Sequence, residues 1–531
     1  MNKLDVLKKL TIDEKINWTS GHGMWSLLGN EKLGIREIFL ADGPHGVRAY
    51  NHVEDELHLV HENLAETTLF PSACAMASTF NPELIKGVGK AIGEECNMFN
   101  VDVLLGPGVN LKRSPLGGRN FEYYSEDPLL TGVIATNFIQ GVQSTKVGAC
   151  IKHFALNEQE TNRRFVNTVV DERTMHELYL APFKMAIEEA KPHAIMSSYN
   201  KVNGHYASES SYLLKDVLRD MWGYKGVVIS DWGAVQDKPK SLKEGMNIEM
   251  PGNSEFEYEV RQALKDGSLT EKDIDESLLP LLDLEEITRL NDNKGVLADL
   301  TSHHEFAYKV ASEAIVLLKN DGVLPLINTK EIGVIGSFAK TPRINGGGSA
   351  TLRPFITEIP LTELEKDFSV EYADGYIEEN TTSQLLDEVK SVCEKSETIV
   401  YFTGTTKSFE VEGRERNHMD LPVGHIQVFD VIKKYAKKII VILSNGAAIN
   451  VTPLKDHANA LIEGWMLGSA NARPLVDVLL GRVNPSGRLS ETFPLSIEHT
   501  PFYGQFPSLQ DDVNYFGDIL NVGYKYYDSH N

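Results

Sequence analysis

Residues 226–233 read GVVISDWG, a short apolar run that ends in a carboxylate and a tryptophan. Five other stretches between residues 30 and 290 have a similar apolar body, rich in β-branched side chains. They are IFLADGP (38–44), VDVLLGPGVN (101–110), VGACIKHF (147–154), HAIMSSYN (193–200) and MNIEMPG (246–252). Continuous short apolar runs are typical of parallel strands that are buried on both faces. The first 290 residues are therefore predicted to contain a parallel sheet.

Longer stretches with the 3.6-residue period of a helix connect these runs. Examples are PELIKGVGKAIGEECNMF (82–99) and MHELYLAPFKMAIEEA (175–190). Several of the apolar runs end in polar or aromatic side chains, which are Asp42, Lys152, His153, Tyr199, Asn200, Asp231 and Trp232. In a (β/α)8 barrel the carboxyl ends of the strands form the rim that carries the active site. The pattern predicts an α/β barrel enzyme, and a doubly wound open sheet is the alternative.

A second series of apolar runs begins after residue 330. Its members are EIGVIGSFA (331–339), FSVEYADGY (368–376), ETIVYFTGT (397–405), KKIIVILSNG (437–446) and NALIEGWM (459–466). Helical segments such as TSQLLDEVKSVCEK (382–395) separate them, which predicts a second α/β unit.

The expected organisation has three parts. A (β/α)8-type catalytic barrel spans residues 1–290, and an α/β sandwich domain spans residues 326–531. The linker between them, residues 291–325, includes a predicted helix over HHEFAYKVASEAIVLLKN (303–320). The aromatic-rich end of the chain, from residue 494, is expected to wrap a surface.

The charge balance disfavours several kinds of partner. The 531 residues carry 75 Asp and Glu against 52 Lys and Arg, a formal net charge of −23. This excess repels nucleic-acid phosphates and anionic membrane surfaces. The strongest apolar run, residues 437–449, is too short to span a bilayer. The first 18 residues lack the apolar core of a secretory leader, so a cytoplasmic location is expected.

Motifs for a bound cofactor or metal are missing from the sequence. The four cysteines form no CxxC pair, and no HExxH motif occurs. TGTTKS (403–408) lacks the first glycine of a P-loop, and EIGVIGSFA lacks the GxGxxG fingerprint of dinucleotide-binding folds. We predict neither a cofactor nor a metal site.

Asp231 at the predicted rim raises the hypothesis of glycoside cleavage. This reaction needs two carboxyl groups, because one protonates the leaving oxygen while the other attacks or activates water. Asp231 is placed at the barrel rim beside Trp232, whose ring offers an apolar face to a sugar. The stretch FEVEGRERNHMDLP (409–422) supplies Glu410, Glu412 and Glu415 as candidates for the second acid. From these residues alone, Asp231 could equally cap a helix, and the charged loop could be solvated surface.

Cationic side chains complete the candidate site: Arg119, Lys152, His153 and Arg163. Fixed cations keep neighbouring carboxylates ionised and donate hydrogen bonds to the hydroxyl groups of a polyol. Lys152 at a strand end also permits a different mechanism, in which its amine forms a Schiff base.

Seven segments, taken in order, resemble those of glycoside hydrolase family 3. They are DGPHGVR (42–48), GGRNFEYYSEDP (117–128), KHFALNEQETNR (152–163), MSSYNKVNG (196–204), GVVISDWGA (226–234), EVEGRERNHMDLP (410–422) and NPSGRLSETFP (484–494). The resemblance covers nearly the whole chain. It implies a (β/α)8-type barrel followed by an α/β sandwich, and the activity of a retaining β-glucosidase.

The resemblance also implies a role for each candidate residue. Asp231 would be the nucleophile that forms a covalent glycosyl-enzyme, while the acid/base would be Glu410, with Glu412 as the second choice. Glu415 stands where the family pattern has an aspartate. The residues implied to bind the sugar are Asp42, Arg119, Lys152, His153, Arg163 and Tyr199, with Ser349 reaching the same pocket.

The predicted substrate is a β-glucoside, cleaved at its terminal non-reducing β-D-glucosyl residue. KHFALNEQE (152–160) lacks the histidine-bearing loop of the family's N-acetylglucosaminidases, and Asp42 resembles the glucosidase pattern. A β-xylosidase or another β-glycosidase is the alternative within the family. Outside it, a Schiff-base lyase acting through Lys152 and a non-catalytic sugar-binding protein stay open. The sequence is also compatible with a homo-oligomer.

Overall fold

The computed structural model describes residues 3–50, 64–508, 513–517 and 520–530. Within those ranges, seven strands form the first sheet. In sheet order they are Gly21–His22, Ser26–Leu27, Ile38–Asp42, Val103–Leu105, Gly148–Phe154, Ala194–Ser197 and Val227–Ser230. From Ile38–Asp42 onward every neighbouring pair is parallel. The predicted parallel sheet is confirmed.

The sheet closes into a barrel through the sixth apolar run of the sequence. Ile248 bridges to Ile229 in the last strand, and Glu249 bridges to Ser20 beside the first strand. The backbone N–H of Gly21 donates to the Glu249 carbonyl at 2.8 Å. This closure excludes the open-sheet alternative. The short strand Ser26–Leu27 runs antiparallel to both neighbours, so the barrel is not a strict (β/α)8 repeat.

Helices surround this barrel. The α-helices are Lys3–Leu7, Ile12–Trp18, Ala73–Ser78, Pro82–Met98, Pro128–Gln143, Glu172–Thr174, Ala181–Glu189, Lys238–Lys243, Ser254–Asp266 and Glu271–Arg289, and π-helical turns cover Met175–Tyr179 and Tyr212–Met221. Pro82 occupies the first turn of its helix, while the Asn81 side chain accepts a hydrogen bond from the Leu84 N–H. Both features favour a helix start at this position.

A six-stranded sheet forms the second unit in the part of the chain that the structure describes. Its order is Val316–Asn320, Ala460–Glu463, Lys438–Ser444, Thr398–Gly404, Glu331–Ile335 and Ser369–Ala373. The α-helices of this part are Leu300–Ala314, Pro360–Leu364, Ser383–Lys395, Val423–Tyr435, Thr452–Lys455, Arg473–Leu480 and Tyr524–Ser529. All five predicted strands are present.

The edge strand Val316–Asn320 differs from the prediction of one helix over 303–320. The helix ends at Ala314, and Ile315 adopts an extended conformation. The next five residues pair antiparallel with Ala460–Glu463. Residues 315–318 read IVLL, and their large apolar side chains pack on the sheet as well as they would on a helix. Part of the expected linker therefore belongs to the sandwich sheet.

The end of the chain lies on the barrel, as expected for a wrapping segment. The strand Val513–Tyr515 pairs with Asn167–Val169 of the barrel unit, extending a small sheet that also holds Lys201–Val202 and His205–Tyr206. The Tyr524 N–H donates to the Glu126 carboxylate at 2.9 Å. The helices of the described ranges include none with both the length and the apolarity needed to cross a membrane.

Candidate active site

Four barrel strands deliver the predicted site residues to one rim. Asp42 ends the strand Ile38–Asp42, and Lys152 and His153 lie near the end of Gly148–Phe154. Tyr199 comes two residues after the strand Ala194–Ser197, and Asp231 comes one residue after Val227–Ser230. Since carboxyl ends of parallel strands point the same way, these side chains meet above the barrel.

Asp231 is buried at the centre of this rim. Its Oδ1 accepts a hydrogen bond from the Trp232 N–H at 2.8 Å, and its Oδ2 lies 3.9 Å from Nε2 of His153. Among the described residues, Oδ2 has no hydrogen-bond partner. Burial raises the pKa of Asp231, while Arg163 and Arg119 oppose that rise. One carboxylate oxygen is thus available to a reacting group.

Lys152 lies between two carboxylates. Its Nζ is 3.3 Å from Asp42 Oδ1 and 3.7 Å from Glu122 Oε1. Burial would lower the pKa of Lys152, but these two anions raise it above its ordinary value. The amine is therefore protonated, which opposes the Schiff-base mechanism because a nucleophilic amine must be neutral.

Arg119 is fixed by Glu122, a residue that the sequence analysis missed. Nε and Nη2 of Arg119 each donate to the Glu122 carboxylate at 2.8 Å. Such a two-point contact holds the guanidinium in one orientation. The available signal was the three-residue spacing of these charges in GGRNFEYYSEDP, where a short 3-10 turn, Asn120–Glu122, brings them together.

His153 is buried and neutral in this setting. Burial lowers the pKa of His153 well below its ordinary value, and the nearby cations Arg119 and Lys152 act in the same direction. Its Nδ1 lies 3.3 Å from the Asn110 side-chain oxygen. A neutral imidazole beside Asp231 can share hydrogen bonds with a sugar hydroxyl without adding charge.

Glu412, the second choice for the acid/base, lies in this pocket. Its carboxylate accepts hydrogen bonds from Arg163 Nη1 at 2.9 Å and from the Ser349 N–H at 2.8 Å. Arg119 Nη1 is 3.8 Å away. Burial alone would raise the pKa of Glu412, but the two arginines lower it well below its ordinary range. Asp231 and Glu412 therefore share the same two cations.

Glu410, the first choice, lies elsewhere. Its side chain is fully buried beneath the loop and accepts a hydrogen bond from the Gly446 N–H at 2.6 Å and another from the Thr405 hydroxyl. The chain turns at Glu412 and Gly413, so the two glutamates point in different directions. Sequence alone gave no way to place that turn.

Ser349 reaches the pocket from the sandwich unit, as expected. Its hydroxyl lies 3.4 Å from Arg119 Nη2, and its N–H contacts Glu412. The preceding Gly348 has φ +97°, and a Cβ there would lie 2.4 Å from the Glu412 Cβ. Only glycine permits this approach of the two loops.

Aromatic rings flank the pocket. Trp232 is partly buried and donates from Nε1 to the Met24 carbonyl at 3.0 Å, and its ring lies 5.2 Å from that of Trp25. The Arg163 guanidinium lies 4.4 Å from the centre of the Tyr199 ring. The rim therefore combines ring faces, cations and carboxylates, which is the composition of a sugar-binding pocket.

The sequence of the chain matches two family models in order. The model of the glycosyl hydrolase family 3 N-terminal domain matches residues 37–284, and that of the family's C-terminal domain matches residues 315–526. The chain belongs to glycosyl hydrolase family 3. The family 3 chain described here is thus a glycoside hydrolase, and the predicted architecture of a barrel followed by an α/β sandwich is confirmed.

Named relatives in family 3 share most of the chain. A thermostable β-glucosidase B from Acetivibrio thermocellus is 41% identical over 99% of this chain and 70% of its own length. An exo-α-(1→6)-L-arabinopyranosidase from Bifidobacterium longum is 39% identical over 99% of this chain and 71% of its own length. A solved structure of β-glucosidase 3B from Thermotoga neapolitana with glucose is 33% identical, with a TM-score of 0.90 over 100% of this chain and 81% of that chain.

Proposed function

We propose that this family 3 enzyme is a retaining, exo-acting β-glucosidase with Asp231 as nucleophile and Glu412 as acid/base. The observation that carries the proposal is the convergence of these two carboxylates on Arg119 and Arg163. One comes from a barrel strand end and the other from a loop of the sandwich unit. Retaining glycosidases need two carboxyl groups only about 5–5.5 Å apart.

The reaction follows from the two environments. Oδ2 of Asp231, free of hydrogen bonds from the described residues, bonds to the anomeric carbon as the glycosidic C–O bond breaks. Glu412 gives its proton to the leaving oxygen. In the second step Glu412 removes a proton from water, whose oxygen bonds to the anomeric carbon and releases Asp231.

The protonation of Glu412 depends on Arg163. With the guanidinium at 2.9 Å, Glu412 is ionised, the state required of the base in the second step. To act as an acid in the first step it must take up a proton. A bound glycoside that excludes water and competes for Arg163 and the Ser349 N–H raises the pKa of Glu412.

Replacing Arg163 should move the pH profile as a whole. Arg163 lowers the pKa of both Asp231 and Glu412, so its removal raises both. For R163M we expect both limbs of the kcat/KM profile to shift to higher pH, by about one unit. R163K, which keeps the charge, should shift them less. A profile of R163M that coincides with wild type would contradict this electrostatic role.

The side chains that would bind the sugar are Asp42, Arg119, Lys152, His153, Arg163 and Tyr199, with Trp232 as a stacking face. The Asp42 carboxylate and Lys152 ammonium offer an acceptor and a donor to adjacent hydroxyl groups. We assign glucose to this pocket on the strength of the β-glucosidase relatives. The arabinopyranosidase relative makes a pentopyranose the second candidate.

A substrate panel tests the assignment. The p-nitrophenyl glycosides of β-D-glucose, β-D-xylose, α-L-arabinopyranose and N-acetyl-β-D-glucosamine are compared by kcat/KM. We expect the glucoside to be preferred, since loss of one hydrogen-bonding group from a built pocket costs about tenfold or more. Preference for the arabinopyranoside would replace glucose by the pentose. Turnover of none of the four would favour the non-catalytic sugar-binding alternative.

The cytoplasmic location and the homo-oligomer stay predictions from the sequence. The absence of a metal requirement also stays a prediction. The described residues contain no group of three or more His, Cys, Asp or Glu side chains placed to bind an ion.

A further inference from the structure

The barrel and the loop that carries Glu412 are joined by two carboxylates, one on each side, and each accepts hydrogen bonds from the other side's backbone. Glu160 of the barrel accepts a hydrogen bond from the Gly413 N–H at 2.7 Å. In the opposite direction, Glu415 of the loop accepts hydrogen bonds from the Thr161 N–H at 2.7 Å, from the Thr161 hydroxyl and from the Glu160 N–H. We propose that this reciprocal pair, the Glu160–Glu415 clamp, positions Glu412 for proton transfer. The inference rests on the proposed role of Glu412.

The clamp restrains both the backbone next to Glu412 and the arginine that contacts its side chain. Gly413, which directly follows Glu412, is bonded to Glu160. Glu160 also accepts from Arg163 Nη1 at 2.7 Å, and the same nitrogen donates to Glu412 at 2.9 Å. A displacement of the loop would therefore change the backbone at Glu412 and the contact with its arginine together. Proton transfer is sensitive to such shifts, because a displacement of about 1 Å costs about 10²-fold in rate.

Burial makes these contacts strong. Glu160 is 4% exposed and Glu415 is 9% exposed, so water competes poorly for their oxygens. In its ionised form, a carboxylate that accepts several N–H and O–H groups makes charge-assisted hydrogen bonds, which are shorter and stronger than neutral ones. Removing Glu415 would leave the two backbone N–H groups without their partner in a buried place.

Close backbone packing sets the register of the loop on the barrel. The Arg416 N–H donates to the Leu116 carbonyl at 2.8 Å. A Cβ on Gly118 would lie 1.7 Å from the Arg414 carbonyl oxygen, so the two chains touch directly. The clamp and this contact together hold residues 413–416 against the barrel.

The loop has room to move when the clamp is absent. A cleft of about 780 Å³ lies between the loop and residues 497–507, with Thr161 and Glu415 among its lining residues. The loop is thus not held from behind by packed side chains along its full length. Hydrogen bonds toward the barrel, together with those to residues 347–349, supply the restraint.

The test compares substrates with different leaving groups, because this comparison separates a positioning role from a general effect on stability. A 2,4-dinitrophenyl β-glucoside needs no proton donor in the first step, whereas methyl β-glucoside does. For E415A we expect kcat/KM to fall about 30-fold or more on the methyl glucoside and less than about threefold on the dinitrophenyl glucoside. E415Q, which keeps the length of the side chain but replaces one acceptor oxygen by a donor, should give the same pattern with a smaller difference.

Glu126 provides a matched control. It is also a buried barrel carboxylate that accepts a backbone N–H and a threonine hydroxyl from a distant segment, at Tyr524 and Thr492. Burial raises the pKa of Glu126 and that of Glu415 to about 7 in each case. E126A should lower thermal stability and change kcat/KM equally on both glucosides, since it lies outside the loop.

The outcomes are distinguishable. Equal losses on the two glucosides for E415A, or no loss, would overturn the clamp. If E415A does not fold, E415Q decides in the same way. E412Q is measured beside them: when it shows the leaving-group dependence and E415A does not, the clamp fails and the proposed acid stands. When E412Q itself shows none, the proposed role of Glu412 fails.

Discussion

Replacing Asp231 by asparagine should lower kcat/KM for an aryl β-glucoside by about 10⁴-fold. The amide has the same shape and can still accept the Trp232 N–H, but its oxygen carries no charge with which to attack the anomeric carbon. The loss should therefore appear without a large change in thermal stability. The measurement is steady-state kinetics of D231N beside a thermal unfolding curve.

Asp102 offers a control within the same barrel. It is fully buried and lies at the opposite end of the strands, where it pairs with Arg36 and with Lys294 at 2.5 Å. D102N should reduce stability and leave the kinetics of the folded protein nearly unchanged. A matching loss of activity in both variants would show that D231N acts through folding.

Covalent labelling checks the same residue independently. A 2-fluoroglucoside with a good leaving group should add one fluoroglucosyl unit to the wild-type chain, located by mass spectrometry in the peptide that contains residues 226–233. A label on another carboxylate would contradict the assignment. Borohydride reduction that traps substrate on Lys152 would instead restore the lyase alternative.

Replacing Glu412 by glutamine should lower kcat/KM by about 10²- to 10⁴-fold on substrates with poor leaving groups. The dinitrophenyl glucoside should be cleaved in the first step almost as fast as by wild type. Hydrolysis of the covalent intermediate should then limit turnover, because the base is also missing. Azide, which needs no base, should restore turnover and give β-glucosyl azide as product.

A variant of Glu410 serves as a structural control for the variant of Glu412. It is buried, accepts the Gly446 N–H, and lies 3.7 Å from Arg343. E410Q should lower the free energy of unfolding by about 1–3 kcal/mol, since an amide nitrogen then faces a donor. Its remaining activity should show no dependence on the leaving group and no response to azide. The reverse result for the two variants would return the acid/base role to Glu410.

The barrel could be predicted from the sequence because its strands are uninterrupted apolar runs with polar ends. The run that contains Asp231 needed no tertiary information to be placed at the rim. The strand Ser26–Leu27 has only two residues, which is too short for a periodic pattern to predict it. The edge strand Val316–Asn320 continues an amphipathic helix without a proline or glycine between them, and its pairing partner lies some 140 residues away in sequence.

The candidate site was harder to predict where it depends on loops. Residues on strand ends, such as Lys152 and Tyr199, could be placed because the strand fixes their direction. The choice between Glu410 and Glu412 depended on one turn whose conformation is set by contacts with Gly347 and the barrel. The role of Glu160 could not be predicted, because its partner Gly413 is distant in sequence and is brought to it only by the fold.

The division of the pocket between two halves of the chain has a consequence for any preparation of this enzyme. A molecule whose barrel and sandwich are each intact but have drifted apart keeps its helices and loses its proton donor. Ellipticity would count such a molecule as native, whereas turnover would not count it at all. Specific activity therefore measures the fraction of molecules in which the two halves are joined, and ellipticity does not.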